Sequence, residues 1–129
     1  MVKGGVEFTN MPPVGPFLLD LETIRAELLD DQIGVYVLGP TNDLGNVVPR
    51  CIGRSDDRPV RERICEHVHD PAYDTCTHCV VMYVESVKVG CDLECQLYHK
   101  YKPQLNANHP DAPDGTNYTC SVCWRERPS

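Results

Sequence analysis

Two cysteine pairs carry the plainest chemistry in the chain, Cys76-x-x-Cys79 and Cys120-x-x-Cys123. A two-residue spacer lets a dithiolate bite one tetrahedral ion, and four such sulfurs make a closed structural zinc site. Cys91 and Cys95, four apart, could instead complete a set with Cys76 and Cys79, although thiols at helical spacing more often pack as small hydrophobes. His78 and His109 could replace a sulfur. The competing reading is a pair of coincidental or redox-labile dithiols, and Cys51 and Cys65 read as core thiols. The second concentration is cationic: Arg50, Arg54, Arg58, Arg61 and Arg63 fall within fourteen residues, and Arg125 and Arg127 stand near the end. Such a run is either a phosphate-facing surface or a solvated helix face paired with Asp56, Asp57, Glu62 and Glu66.

Composition bounds what these groups serve. The 129 residues fit one domain, since domains most often run to about 100–150. Hydrophobic residues at 41% and charged residues at 24% are ordinary globular usage and can bury a modest core. The net charge of −7 argues against a protein that coats nucleic acid non-specifically, though it permits one basic face on an acidic body. No apolar run approaches the roughly 20 residues of a membrane helix, and the opening MVKGGVEFTN lacks the apolar centre of a signal peptide. The expectation is a cytoplasmic protein with no membrane role, whose reducing surroundings favour thiolate metal sites over disulfides.

The elements that must position these side chains follow from periodicity and punctuation. Residues 1–16, with Gly4, Gly5, Pro12, Pro13, Gly15 and Pro16, read as an irregular arm. From Phe17 to Leu29 the apolar residues Leu18, Leu21, Ile24, Leu28 and Leu29 recur at three and four, predicting an amphipathic helix. Ile33–Leu38 and Val47–Gly53 read as a hairpin, with Pro49 placing the start of the second strand at an edge or delaying it. Pro59–His69 reads as a helix behind the cap candidates Ser55, Asp56 and Asp57, Val80–Val89 as a third strand, and Cys91–Tyr101 as a helix started after Gly90 and stopped before Pro103. The order predicts an α+β layer, a three-stranded sheet flanked by helices. Its boundaries are 1–16 for the arm, 17–106 for the domain with a core at 33–106, and 107–129 for a cysteine-containing tail that zinc would pack onto the domain.

Gly34-Val35-Tyr36, followed fifteen residues after Tyr36 by Cys51-Ile52-Gly53, resembles the paired strand motifs of GIY-YIG nucleases. The continuation makes the likeness specific. Arg54-Ser55-Asp56-Asp57 leads into Arg63-Ile64-Cys65-Glu66-His67, then a strand, then Glu94 in a helix, and Lys102-Pro103-Gln104-Leu105-Asn106 closes twelve positions after Glu94. The resemblance spans residues 33–106 and implies a small metal-dependent phosphodiesterase.

What it implies residue by residue agrees with what phosphodiester cleavage requires. A hard divalent cation, Mg²⁺ or Mn²⁺, wants an oxygen ligand, and Glu94 is that carboxylate. Developing phosphorane charge wants a planar guanidinium, given to Arg63 with Arg61 as a rival, while Arg54 could hold another phosphate oxygen. The attacking water needs a base, given to Tyr36. His67 could orient a water or a tyrosine, or be a surface or capping histidine. Asn106 could brace the site or form an Asx turn after Pro103. Cys51 stands where the family's second motif has a tyrosine.

Three functions are therefore expected in order: a DNA-cutting hydrolase, its target choice slight or supplied by a protein partner; a catalytically silent GIY-YIG-like module binding nucleic acid or protein; and a zinc-stabilised structural protein.

Overall fold

The structure, a computed structural model, describes residues 12–106, 109–116, 118 and 120. Four strands and three helices alternate: β1 Val14–Leu18, α1 Leu21–Glu27, β2 Gly34–Gly39, β3 Cys51–Arg54, α2 Val60–Cys65, β4 His78–Tyr83 and α3 Val87–Tyr101. The sheet is antiparallel in the order β1-β4-β2-β3. The α+β class is as expected, with one strand more than the periodicity showed. No helix among the described residues is long and apolar enough to cross a membrane.

The additional strand lies where an arm and the start of a helix were expected. Val14 pairs with Val81 and Phe17 with Cys79, with a register shift between the two pairs. Gly15, at φ +111°, absorbs that shift, and a Cβ there would lie 2.8 Å from the Cys79 carbonyl oxygen. A glycine at a strand irregularity is ordinary bulge chemistry, so the Gly15-Pro16 punctuation belongs to an edge strand. The helix begins only at Leu21, because Asp20 caps it: its Oδ1 accepts from the Glu22 and Thr23 amides at 3.0 and 3.2 Å. A side-chain acceptor at this position satisfies donors that the first turn leaves unpaired. Leu18, counted into the apolar stripe, is half exposed on the strand.

β2 alternates as a half-buried strand must, but both of its faces are covered. Tyr36 and Leu38 join Ile24 of α1, Leu28 just beyond it, and Val60 and Ile64 of α2. Val35 and Val37 join Ile52 and Val84 on the opposite face, where Val89, Leu93 and Leu97 of α3 pack. The sheet is thus a middle layer. β3 is an outer strand and starts at Cys51, as Pro49 required, while an isolated bridge joins Thr41 to Val47 across the loop.

Two helix limits differ from expectation. α2 ends at Cys65, and the chain turns on through His67 N to Ile64 O at 2.9 Å before a 3₁₀ turn at Pro71–Tyr73. Asp70 Oδ1 caps that turn at Ala72 N, 3.0 Å. α3 begins four residues earlier than expected, because Ser86 Oγ caps it at Val89 N, 3.2 Å. Gly90 is then a helical residue, small where α3 presses on Val84. Ser55, expected as a cap, is buried and bonds the Gly34 amide through its hydroxyl at 3.1 Å.

Candidate active site

The candidate side chains meet around the outer edge of β3. Tyr36 pairs across the ladder with Gly53, and the phenol lies over that glycine so closely that a Cβ on Gly53 would stand 2.3 Å from Tyr36 Oη. The tyrosine of one strand motif therefore needs the glycine of the other. Gly34 has a comparable reason, since its Cβ would fall 2.7 Å from the Met82 carbonyl oxygen.

Behind the phenol stands His67, whose Nε2 is 2.8 Å from Tyr36 Oη. The turn after α2 aims this imidazole inward, and only 6% of it is exposed, so it is neither a surface nor a capping histidine. Burial, reinforced by the nearby Arg63 charge, lowers its pKa to about 4. The ring is neutral at pH 7, so Nε2 can accept the phenol's proton. Burial raises the Tyr36 pKa well above the ordinary phenol value, with Arg63 pulling the other way. The resting pair is a neutral tyrosine hydrogen-bonded to a neutral histidine.

α3 brings Glu94 to the same edge from the opposite face of the sheet. The carboxylate is buried, and its Oε1 takes a 2.5 Å contact from Arg54 Nη1. Burial raises the Glu94 pKa, against the pull of Arg54. Arg54 also gives Nε to Asp56 Oδ1 at 2.8 Å and Nη2 to the Asp111 carbonyl oxygen at 2.6 Å. Each of its guanidinium nitrogens contacts protein, so this side chain holds the acid in place while it still lines the pocket.

Tyr36, Arg54, Arg63, Glu94 and Asn106 all line one open pocket of about 380 Å³, with His109 and Asp111 on its far wall. His67 lies directly behind Tyr36. Arg61 does not line the pocket; its Nη1 reaches the Arg25 carbonyl oxygen at 3.4 Å. Arg58 and Arg63 form a salt-bridged face, both on Glu66. Arg63 keeps the pocket in reach from that half-exposed position. Asn106 resolves the choice between brace and turn. Its Oδ1 accepts from Ile52 N and its Nδ2 donates to Ile52 O, both at 2.8 Å, so the amide pairs with the open edge of β3 as a further strand would.

Tyr73 was missed by sequence reasoning. From the 3₁₀ turn it lines the pocket, contacts Cys51 through its hydroxyl, and stacks on His67 at 4.3 Å between ring centroids. Cys51, where the second motif departs from tyrosine, is a buried thiol that burial raises to about 11. The only advance signal was the departure itself, which leaves room for a ring from elsewhere.

The cysteines distribute differently from their spacing. Cys76 and Cys79 are buried in the core on the α1 and α2 side of the sheet. Cys120 instead stands with Cys95 and His109, their ligand atoms all within 4.8 Å of one another, the one such group of three or more among the described residues. Of the expected set of Cys76, Cys79, Cys120 and Cys123, Cys120 is the member found in this group among the described residues, and Cys123 lies outside them. The reason is that a Cys-x-x-Cys spacer reports only local proximity, and at the start of β4 the local surroundings are apolar. His78 pairs instead with Thr77 Oγ1 at 2.9 Å.

No family model matches this sequence, and no curated protein matches it. Solved structures do. The GIY-YIG N-terminal endonuclease domain of UvrC from Thermotoga maritima aligns in two point-mutant forms, each with one tyrosine changed to phenylalanine and each bound to its catalytic divalent cation. The TM-score is 0.52 for both, with 22% and 20% identity, and each alignment covers 66% of this chain and 96% of the other. The chain has a GIY-YIG-like fold.

Proposed function

We propose that this protein is a metal-dependent endonuclease hydrolysing DNA phosphodiester bonds. The supporting observation is convergence: a phenol from β2, a guanidinium from α2 and a carboxylate from α3 open on one pocket at the edge of β3. Those three groups are what the reaction needs, and they come from three separate elements.

The donor set fits a hard divalent cation, because Glu94 lines the pocket and the Asp56 carboxylate stands at its rim. Hard ions take oxygen ligands and, with few protein carboxylates, keep several waters. When bound there, Mg²⁺ or Mn²⁺ supplies polarisation of the phosphoryl and leaving oxygens. The chain's own residues do the rest. Arg54 holds Glu94 in place. Arg63, partly exposed, meets a phosphate oxygen and offsets charge in the transition state. Tyr36 orients the attacking water through its oxygen lone pair, and its hydroxyl proton is directed to His67 Nε2. Burial disfavours charge on both groups, so His67 positions the phenol, and Arg63, whose charge favours the phenolate, tunes the Tyr36 oxygen as acceptor of the water's proton. Tyr73 restores a second phenol to the side of the pocket where Cys51 stands.

A second reading has its own support. With Glu94 tied to Arg54 and Cys51 in the second motif, the pocket also suits a silent module that binds nucleic acid without cutting it. A plasmid-nicking assay with Mg²⁺ or Mn²⁺ separates the two, comparing wild type with Glu94→Gln, Tyr36→Phe and Tyr73→Phe. Cleavage by wild type that falls about 100-fold or more in Glu94→Gln and Tyr36→Phe is the expected result, with a smaller loss in Tyr73→Phe. Retained plasmid binding with no metal-dependent cleavage by wild type would establish the silent module instead.

A further inference from the structure

We infer that Cys95, His109 and Cys120 hold a structural zinc ion that clamps the tail onto α3 and so builds one wall of the pocket. The sulfurs and the imidazole nitrogen already lie within 4.8 Å of one another. Tetrahedral zinc with bonds of about 2.0–2.3 Å sets neighbouring ligand atoms about 3.3–3.8 Å apart, so small side-chain rotations close the set on an ion.

The imidazole is prepared for the role. His109 Nδ1 lies 2.7 Å from the Pro110 carbonyl oxygen, and only an N–H can make that contact. The proton is thereby fixed on Nδ1, and Nε2 presents a lone pair. A backbone carbonyl holding the distal N–H is the usual second partner of a zinc-bound histidine. Nε2 is hydrogen-bonded to His99 Nε2 at 3.1 Å, a contact that an ion on His109 would replace. His99 follows Cys95 by one turn on α3 and shares its face. It is one source of a fourth ligand. Cys123, separated from Cys120 by a two-residue spacer suited to chelation, is the other.

The clamp matters because of its neighbours. Cys95 follows Glu94 directly, His109 lines the pocket, and Asp111 accepts from Arg54 Nη2. A tail of this polar composition has little apolar surface with which to fix itself, and metal binding supplies that ordering. The zinc is therefore distinct from the divalent cation expected at Glu94: soft sulfur ligands select zinc, and oxygen ligands select magnesium or manganese.

Metal analysis tests this without a nuclease assay, so its failure is separable from failure of the catalytic reading. Protein purified from zinc-supplemented culture should carry about one zinc per chain. Cys95→Ser, His109→Ala and Cys120→Ser should each lower zinc affinity about 10-fold or more, while Cys76→Ser and Cys79→Ala should retain it. Loss on Cys123→Ser or on His99→Ala would name the fourth ligand and support the site. In case variants misfold, wild type stripped of metal and refilled with Co²⁺ should show the thiolate charge-transfer and tetrahedral d–d bands. Metal-free wild type that takes up no Co²⁺, zinc retained by both Cys95→Ser and Cys120→Ser, or a Cys95–Cys120 disulfide in place of zinc would overturn the inference.

Discussion

Acid should destabilise this protein through one buried ring. His67 is almost fully enclosed against Tyr36 and Tyr73, and its folded pKa of about 4 compares with 6.5 for a solvated imidazole. Between those values the unfolded chain binds a proton that the folded chain refuses, so stability rises with pH across the window and is lost as pH falls through it. At about 1.36 kcal/mol per pKa unit, going from pH 7.5 to pH 4.5 removes about 2.5 kcal/mol through this residue. Glu94 acts in the opposite sense, because its raised folded pKa makes the folded state the better proton binder. A comparison must therefore isolate His67. His67→Gln does so, since the amide oxygen can still accept from Tyr36 but does not titrate. Urea unfolding of both proteins at the two pH values gives two acid-induced losses, and wild type should exceed the variant by about 2–3 kcal/mol. Equal losses would mean that His67 is solvated or already charged in the folded state. The neutral tyrosine–histidine pair would then be wrong.

Two further outcomes follow from the packing of the pocket. Gly53→Ala places a methyl group where the Tyr36 ring lies. It should lower stability by about 1–3 kcal/mol and abolish plasmid nicking together, whereas a variant matching wild type in both thermal unfolding and cleavage would show that the phenol is not held against Gly53. Arg63→Gln should cut the nicking rate about 100-fold through lost charge stabilisation, while Arg61→Gln, directed at the Arg25 carbonyl, should stay within about 2-fold of wild type. The reverse ranking would assign the phosphate contact to Arg61.

Most of the sheet was legible because its signals are local. The β-branched run at Ile33–Leu38 and the proline at position 49 contain the information that decides strand type and strand start. The motif residues Tyr36, Gly53, Arg63, Glu94 and Asn106 were found by order along the chain, and the pocket brings them together. β1 escaped because Gly15 and Pro16 serve equally well in a loop and in a strand with a register shift, and only the partner strand decides between them. Tyr73 and the Cys95–His109–Cys120 group escaped for a related reason. Each depends on which distant segment folds against it, and spacing within a segment carries no record of that. Cys76-x-x-Cys79 shows the converse, a familiar local pattern that the surrounding apolar side chains convert into packing.

If the proposed function holds, an acidic protein acting on an anionic substrate must make its positive potential locally, and the arginines divide that task. Arg54 is neutralised by Asp56 and Glu94, and its third nitrogen fixes the tail at Asp111. It therefore adds rigidity to the pocket and little net charge, since a paired charge in a sheltered site gives most of its field to its partners. Arg63 shares Glu66 with Arg58 and remains half exposed, so a phosphate can compete for it at small cost, exposed pairs being worth only about 0–1 kcal/mol. Two arginines nine residues apart thus differ in kind: one is spent on holding the carboxylate at the β3 edge, and the other is held loosely enough to be recruited. On the proposed function, this division is how a chain with net charge −7 would offer phosphate a pocket without a basic surface, with Arg63 as the attraction for substrate and Glu94 as the ligand for the cation.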